Sequence, residues 1–451
     1  MDISKIHKVY FLGIGGIGMS ALARFFNSHG KIVAGYDKTP TILTQEMQSE
    51  GISITFEDSL DTLALDADLV VYTPAIPKEH LQFNFYKENQ YKLHKRAEVL
   101  GWIANSMYNI CIAGSHGKTS TSAITSYILD KAQKDVAAFL GGVCINYQSN
   151  YLDGSTYAVA EADEFDRSFL HLHPNIALIT SIDTDHLDIY GNFQAIKDSF
   201  SAFINNIRPD GTLVIHATVP RDVVNRAIKV VTYALDDERA DFFVRNLSVK
   251  DGKNIFDIHH PHGVIKDVCC GYAGRHNVEN ALGATVLALQ LDVSEDALRV
   301  ALATFKGIRR RFETHLKTDS VVFIDDYAHH PRELDACIAS ARSLYGNRKI
   351  TAIFQPHLYS RTRDLAKEFG ESLAKVDVPI LIEIYPAREL PIDGVSSELI
   401  YEAIHNEQKV LTTKSQLLEV LARLDIDVLL TVGAGDIDTF VDKIKEVINK
   451  K

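Results

Sequence analysis

The sequence predicts an α/β protein of three domains, and three observations carry that expectation. A glycine-rich turn, GIGGIGM, follows an apolar strand pattern over Lys8 to Ile14; a second, GSHGKTS, follows another that ends at Ala113; and four later strand patterns each end in polar residues. Strands that present glycines and polar groups at their ends, each followed by helical periodicity, build open sheets with one functional edge. With 451 residues and 46% hydrophobic content, the chain can bury about three cores of ordinary size. The expected boundaries are 1–106, 107–312 and 313–451: a Rossmann-like N-terminal domain, a central domain like the P-loop ATPases, and a C-terminal Rossmann-like α/β domain.

Composition narrows the partners. A formal charge of -12 gives a field that repels nucleic acid and offers an anionic membrane nothing to hold. A nucleotide needs only a local positive patch. The five cysteines form no C-x-x-C pair, and Cys269-Cys270 are adjacent, which suits neither a zinc knuckle nor an easy disulfide; ordinary thiols in a reducing compartment are expected. No apolar run reaches about 18 residues, and MDISKIHKVYFLGIGG enters a strand directly, so the cytoplasm is the expected location.

In the first segment, Gly13, Gly15, Gly16 and Gly18 lead from a strand into a helix, and a second strand, Lys31 to Tyr36, ends on Asp37. Glycines allow close approach to a pyrophosphate, and an acid after the second strand can take ribose hydroxyls. Three readings stay open here: a nicotinamide dinucleotide, a non-redox nucleotide diphosphate, or a tight turn alone. The second loop argues against the first, because a plain dehydrogenase has no use for another phosphate cradle.

That second loop, Gly114-Ser115-His116-Gly117-Lys118-Thr119-Ser120, is a shortened G-x-x-G-K-T pattern at the start of a helix. Backbone N–H groups and the helix dipole favour an anion there; Lys118 can reach terminal phosphates, and the Thr119 hydroxyl can take one position on Mg²⁺. Two strand patterns, Tyr157 to Ala160 and Ile176 to Thr180, run into acids and a histidine, with Glu161 and His186 placed to join Thr119 around a metal. Farther on, Asn277 and Asn280 open a helix one turn apart, where capping and nucleotide contact are both open readings. His259, His260 and His262 read as surface residues.

The third segment follows FKGIRRRFETH. Arg310 or Arg311, near a domain boundary, could neutralise a transferring phosphoryl group. Next come a strand from Val321 to Ile324 opening onto DDYAHHP with Tyr327, one from Ile350 to Phe354 opening onto His357 and Arg361, and two more that end in PAREL and GAGD.

Taken in order, GIGGIGM, GSHGKTS, EADEFDRSF, DTDHLDIYG, GRHNVENA, FKGIRRRF, DDYAHHP, FQPHLYSRT, PAREL, GVSS and GAGD resemble the ATP-dependent amino-acid ligases that build the peptide stem of the bacterial cell-wall precursor. The resemblance covers nearly the whole chain. It implies ATP and Mg²⁺ as cofactors and UDP-N-acetylmuramate and L-alanine as substrates, in a monomer or homodimer. It implies UDP-sugar contacts at Gly15, Gly16, Gly18, Met19 and Ser20; ATP phosphates on Gly114 to Ser120; metal at Thr119, Glu161 and His186; and adenosine at Asn277 and Asn280. Catalytic roles fall to Lys118, Glu161, His186, Arg310, Arg311 and His357, and amino-acid contacts to Tyr327, His357 and Arg361. A relative that recycles intact tripeptide onto the same sugar nucleotide is the alternative, and a nicotinamide oxidoreductase the remote one. Where members often carry arginine after the histidine of FQPHLYSRT, this chain has Leu358; other members use a carbamylated lysine beside a second metal, and Lys197, nearby on a helix, is not assigned to that role.

Overall fold

The computed structural model describes residues 3–183, 187–250, 253–387 and 389–449. The chain divides into two compact units, one of Met1–Leu247, Phe256–Cys269 and Glu279–Lys306, the other of Ser248–Ile255, Cys270–Val278 and Gly307–Lys451.

The first unit opens with five parallel strands, β1 (Lys8–Leu12), β2 (Ile32–Tyr36), β3 (Ser53–Thr55), β4 (Leu69–Tyr72) and β5 (Leu93–Lys95), in the order β3-β2-β1-β4-β5. Chain order reverses between β1 and β4, so the glycine turn after β1 stands at the switch point of the sheet, where such folds bind ligands. The strand stops at Leu12, not Ile14, because Gly13 turns the chain at φ 87 and both Gly13 and Ile14 donate their N–H groups to Tyr36 O.

Ten further strands form the second sheet: β6 (Tyr108–Ala113), β7 (Val136–Cys144), β8 (Ser149–Leu152), β9 (Tyr157–Ala162), β10 (Ile176–Ile179), β11 (Thr212–His216), β12 (Lys229–Ala234), β13 (Phe242–Lys250), β14 (Lys253–His260) and β15 (Gly263–Cys270). Their order is β15-β14-β13-β12-β11-β10-β6-β9-β7-β8. The β6 strand lies between β10 and β9, parallel to both, and is buried from Asn109 to Ala113. That placement brings the ends of β6, β9 and β10 to one edge. Phe25 of the helix Ile17–Ser28 meets Phe139 of β7 and Tyr151 of β8 at 5.8 and 6.2 Å between ring centroids, so residues of the first and second sheets share one apolar core.

In the second unit, β16 (Glu313–Lys317), β17 (Val322–Asp326), β18 (Ile350–Phe354), β19 (Val378–Leu381), β20 (Val410–Leu411) and β21 (Val428–Val432) are ordered β16-β17-β21-β18-β19-β20, all parallel except the edge strand β16. Here β17 runs two residues past the expected Ile324, and the two aspartates thought to follow it are buried within it. All five cysteines are free thiols. Among the described residues, no helix is long and apolar enough to cross a membrane.

Candidate active site

The loop from Gly114 to Ser120 is shaped by its two glycines. Gly114 and Gly117 hold φ 127 and 80, and Gly117 caps the helix Lys118–Lys131 in the left-handed region, which side chains rarely adopt. The loop is tied to the end of β10: Ser115 N–H donates to Ser181 O (3.1 Å), His116 N–H to Ser181 Oγ (3.2 Å), and Thr180 Oγ1 to His116 O (2.5 Å). The His116 ring stands 3.2 Å from the Asp183 carboxylate. Asn280 closes on the same loop, its Oδ1 accepting from Thr121 Oγ1 at 3.4 Å, with a Cβ at Gly117 falling only 2.5 Å from it.

Two charged contacts organise the edge. Lys118 Nζ donates to Gly114 O (2.6 Å) and to Glu164 Oε2 (2.7 Å), a carboxylate 3% exposed. Burial works against the ammonium, but Glu164, then Asp163 and Glu161, outweigh it and raise the Lys118 pKa, so this lysine stays charged. Thr119 Oγ1 donates to Glu161 Oε2 at 3.1 Å, and Glu161 Oε1 accepts the Gly141 N–H at 2.7 Å. Glu161, on β9, is therefore held from the neighbouring strand β7 and from the loop helix at once. Ser120 is 7% exposed beside Thr119. His186 lies outside the described residues. Lys197 pairs with Asp222, not with this cluster.

The first glycine turn is held from the end of the neighbouring strand β2. Asp37 Oδ2 accepts the Gly15 N–H at 2.7 Å, so this acid braces the turn. Met19 and Ser20 are 2% and 0% exposed, with both backbone N–H groups bonded to Gly16 O. Both residues are buried in this structure, Met19 among the core side chains. Gly18 has a basic neighbour that sequence reasoning missed: a Cβ there would stand 2.8 Å from Arg96 Nη1, and Arg96 Nη2 lies 3.9 Å from Asp163. The only local signal was KRAE at a helix start, which reads as surface charge.

In the second unit, rings form a continuous run. Tyr327 meets His329 at 5.4 Å, His329 meets His357 at 6.0 Å, and His357 stacks on Tyr385 at 5.9 Å. The guanidinium groups of Arg310 and Arg311 each lie 5.1 Å from the Tyr327 ring. Arg310 is further engaged within this unit, donating to Gly433 O (2.6 Å) and standing 3.2 Å from Asp438 and 3.5 Å from Asp325. Burial lowers the His329 pKa against the pull of Glu333, and Arg361 adds to the lowering; the neutral ring is thus favoured near pH 7. Arg361 is half-buried in the first turn of the helix Tyr359–Leu373, whose preceding residue, Leu358, holds φ 72. Glu389 accepts from Ser360 N–H (2.9 Å) and Ser360 Oγ (2.5 Å) in that same turn. Asn277 is fully buried, its Nδ2 donating to Ala273 O at 2.6 Å, so its side-chain amide supports the local backbone. His259 and His260 are half-buried, stacked on Phe243 and Phe242, and His262 is exposed.

Asp326, expected just past its strand, closes it instead. It is 8% exposed and accepts from Phe312 N–H (2.7 Å) and Ala328 N–H (2.8 Å). Burial pushes its pKa up to about 7, against the pull of Arg311 and both backbone donors. A carboxyl raised on folding binds a proton that the unfolded chain releases near its ordinary pKa, so its contribution to stability falls as pH rises from there to about 7. We expect Asp326→Asn to flatten this dependence: the melting temperature of the parent, relative to the variant, drops between pH 5 and pH 8. A constant difference across that range removes the assignment.

Three family models match the chain: Mur ligase family, catalytic domain, at residues 8–108; Mur ligase middle domain, at 112–288; and Mur ligase, glutamate ligase domain, at 310–435. A UDP-N-acetylmuramate-L-alanine ligase of Flavobacterium psychrophilum is 46% identical over 456 residues, covering 100% of both chains. One of Parabacteroides distasonis is 47% identical over 461 residues, covering 100% of this chain and 99% of its own. The crystal structure of a UDP-N-acetylmuramate-alanine ligase from Thermotoga maritima superposes with a TM-score of 0.84 at 26% identity, over 98% of this chain and 99% of that one. A murein peptide ligase from Psychrobacter arcticus shares the fold at a TM-score of 0.72 and 21% identity, over 98% of each chain. With three family models across the chain and full-length relatives at this identity, the chain belongs to the Mur ligase family.

Proposed function

We propose that this protein joins L-alanine to the carboxylate of UDP-N-acetylmuramate at the expense of ATP, giving UDP-N-acetylmuramoyl-L-alanine, ADP and phosphate. The observation that carries this reading is the full-length match to UDP-N-acetylmuramate-L-alanine ligases, reaching 47% identity. A carboxylate is a poor acyl donor. Attack of its oxygen on the γ-phosphorus of ATP releases ADP and leaves an acyl phosphate, from which the alanine amine displaces phosphate.

The chain's own groups suit these steps. Lys118 is a fixed cation in the loop that would hold the triphosphate, where it offsets charge on the phosphoryl oxygens. Thr119 and Glu161 would hold Mg²⁺. Both supply the oxygen donors that this hard ion takes, and they already lie together, Thr119 Oγ1 donating to Glu161 Oε2 at 3.1 Å. When bound, the ion supplies further neutralisation of the triphosphate. His357 accepts or orients the proton that the alanine ammonium must lose, and Arg361 fixes the alanine carboxylate through two parallel charge-assisted bonds.

Phosphate release, measured with UDP-N-acetylmuramate and in turn L-alanine, glycine, L-serine and the murein tripeptide, tests the reading. L-alanine should give the highest kcat/KM, and turnover with the tripeptide alone would replace it with the recycling activity. We expect Arg361→Lys to raise the alanine KM by at least about tenfold, because a point charge replaces a planar fork, with the ATP and UDP-sugar KM values little moved. An unchanged alanine KM in the folded variant would sink the carboxylate assignment.

A further inference from the structure

We infer that Asn150 is a positioning residue for the sugar nucleotide: it sets where the GIGGIGM turn stands against the sheet that carries Glu161. The inference rests on the substrate reading above and deepens it.

Asn150 lies on the edge strand β8 and is 0% exposed. Every hydrogen-bonding position of its amide that the structure records goes to the helix following the turn. Its Nδ2 donates to Ile17 O (2.6 Å) and to Ser20 Oγ (2.9 Å), both in the first helical turn, and its Oδ1 accepts from Arg24 Nη1 (2.5 Å). Arg24 is itself 5% exposed and is held from its other side by Glu50, with Nη2 to Oε1 at 2.6 Å and Nε to Oε2 at 2.9 Å.

Packing alone does not require these groups. Phe25, Phe139 and Tyr151 already supply an apolar interface between the helix and the β7–β8 edge. Apolar contact is non-directional and tolerates sliding; a buried amide is costly unless every bond is made, so it selects one register of helix against strand. That register matters because Asn150 faces an irregular part of the β7–β8 pair, between Phe139 and Cys144, which contains Gly141. The Gly141 N–H holds Glu161. One strand pair thus fixes the metal-binding acid through its backbone and the glycine turn through Asn150, which would keep the acceptor carboxylate in line with the phosphate it attacks.

The test is Asn150→Asp, which keeps the size and the Arg24 contact but removes both donors to the helix. We expect calorimetric titration to show the Kd for UDP-N-acetylmuramate raised at least about tenfold and the Kd for a non-hydrolysable ATP analogue moved less than about twofold. Asn150→Ser, which retains a single short donor, should show the same split at smaller amplitude, and it serves if the aspartate variant does not fold. An unchanged UDP-sugar Kd, or equal losses for both ligands, overturns the inference while leaving the functional reading intact. A parent protein that does not bind UDP-N-acetylmuramate overturns both.

Discussion

Lys118→Ala is expected to lower the rate of phosphate release by at least about a hundredfold, the loss that follows removal of one fixed charge-stabilising donor from a phosphoryl-transfer site. Nothing else recorded in the loop replaces it: the neighbouring cluster of Glu161, Asp163 and Glu164 is acidic, and these three acids are what raise the lysine's pKa. The same variant also loses stability, because Glu164 is left 3% exposed without its cation. Breaking one side of a buried pair costs on the order of 3 kcal/mol. The double variant Lys118→Ala/Glu164→Gln therefore separates the two effects. It should regain most of the melting temperature and none of the activity. Recovery of turnover in the double variant would mean that Lys118 serves folding alone, and near-normal phosphate release in the single variant would remove it from the chemistry.

Gly141→Ala is expected to lower kcat by at least about fiftyfold, through Glu161, with a smaller change in melting temperature. A Cβ at Gly141 would stand 2.5 Å from Glu161 Oε2, 2.7 Å from Oε1 and 2.8 Å from Cδ, closer than atoms pack. The carboxylate must then swing away from Thr119 and give up the Gly141 N–H. Since the glycine sits in a strand without a left-handed φ, the substitution strains no backbone, and the loss falls on the site instead. Steady-state kinetics over a range of Mg²⁺ concentration checks this: the variant should need more Mg²⁺ for half-maximal rate. An unchanged Mg²⁺ dependence with normal kcat would dissociate Glu161 from the metal.

The sequence by itself determined the α/β class, the glycine turns and the loop from Gly114 to Ser120, because each depends on neighbours within a few residues. Gly117 caps its helix, and Thr119 follows one residue after Lys118, whatever the rest of the chain does. It also placed Glu161 at the close of a strand, since a run of apolar residues meeting an acid is a local pattern. What it left undecided was partnership. That Glu161 meets Gly141 follows from β9 pairing with β7, and that Glu164 meets Lys118 follows from β9 lying beside β6; sheet order of this kind is set by the burial of many strands together. For the same reason Asp326 read as one of several loop acids, whereas the extension of β17 buries it and moves its pKa. Ser20 shows the converse, a polar residue beside a binding turn whose hydroxyl the tertiary structure turns inward to Asn150, 130 residues away. Short-range geometry writes the loops into the sequence, but desolvation and the choice of partner act across the fold, so only the packed chain decides which polar groups face a ligand and which hold the frame.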